Sequence, residues 1–298
     1  EELPHSAHVA TIESCLKAGR RGRASTDPLK DTSRYLALMW SKAALVARAA
    51  DCFFPGAGMF WWVDFGLAHA AGAHPDDELD ELVEKVEAPI HLTVRWQPSR
   101  REVEDRTAYF RDTPGAKVGG SLFGARPGEA RWLADRMDDE VGRCLASGWP
   151  TTEEVLLGAV LAEHPDACEV HYASPRTTLV NLLGTRSDPY VALDAARALT
   201  EDGQAPRALE LVLALEAAER NGELHLGELA EVQLYDRLLV AAWYAGDEDE
   251  ARRAALILER LRHDVLPGTP AGEATLEPRI RANVALALAL GSRPGTAS

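Results

Sequence analysis

Met59-Phe60-Trp61-Trp62-Val63-Asp64-Phe65-Gly66 is the stretch that decides how this chain is read. A run of aromatic and aliphatic residues closes on an aspartate and a glycine. That is the pattern of a buried strand delivering one carboxylate to the edge of a sheet. In open α/β sheets, ligands bind outside the carboxyl ends of the strands. Asp64 is therefore the first candidate for chemistry, against the alternative of a plain cap or turn. Alternation along a strand puts Trp61 and Trp62 on opposite faces, so at least one of them belongs to the core. Stacking on a sugar or a base is the other use of such rings, Trp96 included.

Working upstream, residues 33–51 read as one helix. Tyr35, Leu38, Met39, Ala43, Leu45 and Val46 recur at helical spacing, with Lys42 among them. Lys42 is a candidate partner for Asp64 or for a phosphate; the alternative is a solvated lysine. Residues 1–31 are mixed, with a basic cluster at Arg20, Arg21 and Arg23, a loop or a phosphate contact with the loop favoured, and a turn at Asp27-Pro28. Pro55-Gly56-Ala57-Gly58 is a turn signal.

Working downstream, residues 76–87 read as an acidic amphipathic helix and Ile90 to Trp96 as a strand. Lys117 to Ala125 is a glycine-bearing strand, and glycine in a strand marks a close approach or a bulge. Gly119-Gly120-Ser121 would let a sugar or acceptor come near the backbone. Residues 127–147 form a long helix, with Pro127 suited to its first turn. Thr151-Thr152-Glu153-Glu154 opens the next one. Glu153 and Glu154 fit either of two roles. They are a second carboxylate site, a general base or an acceptor for sugar hydroxyls, or they simply complement the helix dipole. Cys168 to Tyr172 is a short strand. His69, His91 and His171 have no partner at i+4, which favours structural roles.

From Asp188 the strand signals stop, and residues to about 290 are helical. Gly203, Ala208, Leu211 and Leu215 recur as Gly246, Ala251, Ala254 and Leu258, an offset of 43 residues. Each unit is a helix, a glycine turn and a second helix, as in helical-repeat proteins. Trp243-Tyr244-Ala245-Gly246-Asp247 with Ala251 resembles a tetratricopeptide-type junction. Pro267, Gly268 and Pro270 precede a last helix over 274–290. The expected organisation is an α/β domain over 1–187 and an all-α helical-repeat domain over 188–298.

The net charge is -15. Such a surface repels nucleic acid and anionic lipid. No apolar run reaches the roughly 18 residues of a membrane span. The four cysteines show no CxxC pair and no zinc-finger spacing with histidine. They read as scattered reduced thiols of a cytoplasmic protein rather than as a zinc site or disulfide framework. No Gly-x-Ser-x-Gly elbow or His-Glu-x-x-His pair speaks for a hydrolase.

The order Tyr35, Lys42, Trp61-Trp62-Val63-Asp64-Phe65-Gly66, Gly119-Gly120-Ser121-Leu122-Phe123-Gly124, Pro150-Thr151-Thr152-Glu153-Glu154, His171-Tyr172 and Asn181 resembles the bacterial HtrL/YibB-like glycosyltransferases over about half of the chain. The resemblance implies a GT-A-like fold and transfer of a sugar from a nucleotide-sugar donor to a glycan or other acceptor. It implies Asp64 as the contact to a diphosphate and to Mg²⁺ or Mn²⁺. It also implies Glu154, with Glu153, as the acid pair near the acceptor. Lys42, Gly119, Gly120 and Asn181 map onto its remaining donor-binding positions. The chain departs from the pattern at Ala173-Ser174-Pro175 and at Gly66, where metal signatures carry a second acid. The strand–helix–strand unit that would bind the base has no counterpart before Ser33, so the transferase domain reads as N-terminally truncated. The rival reading is a non-catalytic interaction protein that binds a protein partner through its helical repeats.

Overall fold

The computed structural model describes residues 3–23, 32–52, 58–64, 88–113, 117–174, 188–265 and 277–290. The expected helix over 76–87, the turns at Asp27-Pro28 and Pro55, and Phe65, Gly66, His69 and Asn181 lie outside them. The chain divides into two units, Glu1–Asp188 and Pro189–Ser298. The first is mixed α/β and the second is helical.

In the first unit, a 3₁₀ turn over Ser6–His8 leads into α1 (Val9–Lys17). Next comes α2 (Ser33–Trp40), whose first turn is capped by Thr32, its side chain accepting from the Tyr35 N–H. The single helix expected over 33–51 is broken at Ser41, and α3 runs from Lys42 to Cys52. The cause is local. Ser41 Oγ donates to the Ala37 carbonyl at 2.7 Å and accepts from His5 N at 3.3 Å. A serine hydroxyl bonded back to i−4 bends a helix. The bend leaves Lys42 at the start of α3, 2% exposed.

The strands are β1 (Phe60–Val63), β2 (Ile90–Val94), β3 (Val118–Ala125) and β4 (Glu169–Tyr172). They form one mixed sheet in the order β1-β3-β2-β4. The pairs β1/β3 and β2/β3 are antiparallel, and β2/β4 is parallel. β1 is shorter than expected, although the Asp64 N–H still bonds the Ser121 carbonyl at 2.9 Å. The register of β2 on β3 slips between Leu92 and Val94, so β3 bulges near Gly119–Ser121. A bulge interrupts the alternation and re-aims side chains. Every residue of β2 is buried, as expected of a central strand with both faces covered.

Two short helices, α4 (Arg100–Glu104) and α5 (Arg106–Asp112), link β2 to β3. Two longer ones, α6 (Pro127–Ser147) and α7 (Glu153–Glu163), link β3 to β4. α7 is apolar all round, and every residue from Val155 to Ala162 is buried, so it lies in the core. Trp40, Phe110, Phe123 and Leu92 are almost fully enclosed as well.

The helical unit comprises α8 (Pro189–Glu201), α9 (Ala205–Arg220), α10 (Glu228–Ala245), α11 (Glu248–Val265) and α12 (Glu277–Leu290). Gly203 and Gly246 turn the chain with φ of 78° and 82°, in the left-handed region where glycine costs least. Ala208, Ala251 and Ala254 are buried where helices meet. Leu211 stays half-exposed, and Val212 takes the buried place beside it. No helix among the described residues is long and apolar enough to cross a membrane.

Candidate functional site

The carboxyl ends of β1 and β2 and the amino end of β3 meet at one end of the sheet, and Lys42 reaches it from α3. Its ammonium has three N–H donors. They go to Asp64 Oδ2 at 3.0 Å, the Gly120 carbonyl at 3.0 Å and Glu153 Oε1 at 2.6 Å. Trp62 Nε1 donates to the other oxygen of Asp64 at 2.6 Å, and the Lys42 ammonium lies 5.6 Å from the Trp62 ring centre. Burial alone would lower the pKa of Lys42. The charge and hydrogen bond of Glu153, and then those of Asp64, outweigh burial and raise it.

Glu154 follows Glu153 in the first turn of α7 and is half-buried. Burial, and next the charge of Glu153, push its carboxyl up to about 7, against the pull of Arg95, the Gly120 N–H and Lys42. A carboxyl near neutrality in a partly buried site is a functional candidate on physical grounds. Arg95 stands just past the end of β2. Among the described residues, its Nε is buried without a hydrogen-bond partner.

Gly120 is the position that lets this cluster close. A Cβ there would stand 2.5 Å from Glu153 Oε1 and 3.0 Å from Glu154 Cγ. At Gly119 a Cβ would meet Thr93 Oγ1 at 2.5 Å. The protein's own side chains thus already require glycine at both positions.

Lys42, Asp64, Glu153, Glu154 and Gly120 come together, Gly119 lies beside them, and Asn181 is outside the described residues. Lys42 pairs with Asp64, one of its two expected partners. The metal expected at Asp64 fits less well. Each of its oxygens already accepts one hydrogen bond, from Lys42 and from Trp62, so a divalent cation there would share the carboxylate with the ammonium. These residues as arranged are not a ready site for Mg²⁺ or Mn²⁺.

Two features escaped the sequence reading. Arg95 carried no motif. His91 and His171 have no partner at helical spacing, yet with Glu169 they lie on the neighbouring strands β2 and β4. Here His91 pairs with Glu169 and Thr93 with His171 across β2 and β4. Cys144, by contrast, offers no nucleophile, because burial pushes its thiol up to about 12.

No family model matches this chain, and neither a curated protein nor a solved structure matches it.

Proposed function

We propose that the α/β unit transfers a sugar from a nucleotide-sugar donor to a hydroxyl of a glycan or other acceptor, with Glu154 as general base. The carrying observation is a half-buried carboxyl poised at about 7 at the end of the sheet, beside a cluster of fixed charge. A general base works best with a pKa near the operating pH. The donor class and a GT-A-like fold come from the motif order described above.

In this reading Asp64, whose side chain is 31% exposed, accepts a donor hydroxyl. Arg95 supplies the cation for the diphosphate. Lys42 holds Asp64 and Glu153 in place, and no step runs through a metal ion. The helical unit, with tetratricopeptide-like repeats, offers a surface to a protein partner. A cytoplasmic setting goes with this reading, on the scattered spacing of the four cysteines in the sequence.

The test is turnover of a panel of UDP-sugars by the wild type, Glu154→Gln and Asp64→Asn. Glu154→Gln is expected to lower kcat by roughly 10²–10⁴-fold while UDP binding persists. Unchanged turnover would remove Glu154 from the reaction.

One observation favours a second reading, a non-catalytic interaction protein. All three N–H groups of Lys42 are answered inside the protein, as in a purely structural ion-pair cluster. Calorimetry decides between the two: no heat with UDP or UDP-sugars, with and without Mn²⁺, supports the scaffold.

A further inference from the structure

Opposite faces of β1 serve different ends. Trp62 turns toward Lys42, whereas Trp61 turns to the other face and stacks on His91, with ring centres 5.3 Å apart. Gly124 lies between them in the row Trp61–Gly124–His91–Glu169. A Cβ on Gly124 would stand 2.4 Å from the Trp61 ring, so only glycine lets the indole reach across to the imidazole.

His91 Nδ1 stands 2.9 Å from His171 Nε2, with the two rings also stacked. The Glu169 carboxylate spans the pair. Its Oε2 is 3.9 Å from His91 Nδ1 and its Oε1 is 3.6 Å from His171 Nε2. Zinc–ligand bonds of about 2.0–2.2 Å at tetrahedral angles place ligand atoms roughly 3.3 Å apart. The two nitrogens already lie near that value, and one oxygen of Glu169 lies with them inside a 4.8 Å group, so a rotation of the solvent-open carboxylate would bring one atom of each residue onto one ion. Two imidazoles and a carboxylate suit a borderline divalent ion better than Mg²⁺ or Ca²⁺, which prefer all-oxygen sets. His91 is fully buried and His171 is 7% exposed, whereas the Glu169 side chain is 44% exposed. The nitrogen ligands are therefore fixed by packing, and the carboxylate is open to solvent.

We propose that His91, His171 and Glu169 bind one divalent transition-metal ion, with Zn²⁺ the best fit. The ion clips β4 to β2 and keeps a coordination position open on the Glu169 side. This site is independent of the transferase reading and lies on the other face of the sheet from Asp64.

The test is titration of the metal-stripped chain with Zn²⁺, followed by calorimetry and thermal unfolding, with Co²⁺ as a spectroscopic stand-in. The wild type is expected to bind one equivalent and to unfold roughly 5–10 °C higher at a hundredfold excess over Kd. Co²⁺ should give the absorption of a low-coordinate N/O site. Glu169→Gln, at a solvent-open position, keeps the fold and weakens binding at least about tenfold. His171→Ala abolishes it, and Asp64→Asn leaves it intact. No saturable binding by the wild type overturns the proposal. So does binding that survives both Glu169→Gln and His171→Ala unchanged, or binding lost only in Asp64→Asn.

Discussion

The two units each bury a charged cluster, and they resolve it in opposite ways. In the helical unit Glu216 is 3% exposed. It is gripped by both terminal nitrogens of Arg253 at 2.7 Å and by the Tyr235 hydroxyl at 3.0 Å. Burial opposes its ionisation, yet the Arg253 and Tyr235 hydrogen bonds prevail and hold its carboxyl below the usual range. In the α/β unit Lys42 answers Asp64 and Glu153, but a third carboxylate, Glu154, adjoins them, and its pKa rises. The first cluster is balanced and ties α9 to α10 and α11. The second sets three carboxylates against Lys42 and Arg95, one acid in excess, and Glu154 carries a proton near neutral pH. Buried charge by itself speaks weakly for function. The uncompensated carboxyl is what separates the two.

The largest effect should come from removing the hub. Lys42→Met leaves Asp64 and Glu153 without their shared cation and is expected to destabilise the α/β unit by about 3–5 kcal/mol in urea unfolding. Next, Gly120→Ala should cost about 1–3 kcal/mol, because its Cβ displaces Glu153 and Glu154. A neutral result would mean that the bulge yields easily. In the helical unit, Arg253→Met should cost about 1–2 kcal/mol, since Glu216 keeps Tyr235 and Arg220. A loss as large as that of Lys42→Met would erase the contrast between the clusters.

The subtlest effect is in the pH dependence. The folded pKa of Glu154 lies above its unfolded value, so the folded state binds more protons between about 4.5 and about 7. Stability therefore falls as pH rises through that window. Glu154→Gln should flatten that part of the profile and be the more stable protein above pH 7. An unchanged profile would place the proton elsewhere.

Much of this site was legible in the sequence because its parts sit at element ends. Asp64 closes an apolar strand, Glu153 and Glu154 open a helix after two threonines, and Gly119-Gly120 interrupt a strand. Lys42 was visible only as a cation on the right helix. Its place as hub depends on the bend at Ser41, made by a hydroxyl bond within the helix, and on the bulge of β3, which is set by pairing with β2. The roles of the glycines could not be read, because a close approach to protein and a close approach to ligand carry the same residue signature. His91 and His171 were passed over for want of an i+4 partner. The useful pattern was Glu169-x-His171, two residues on one face of a strand, but their match with His91 needs the parallel β2/β4 register. The 43-residue repeat, in contrast, is written in local turns and small residues and needs no long-range information.

The most direct test of the excess acid is the titration of the Glu154 side-chain carboxyl by ¹³C NMR, in the wild type and in Glu153→Gln. A midpoint near 7 that drops when the Glu153 charge is removed is the expected result. A midpoint in the ordinary glutamate range, about 4.3, would contradict the account, because the retained proton that separates the two clusters would then be absent.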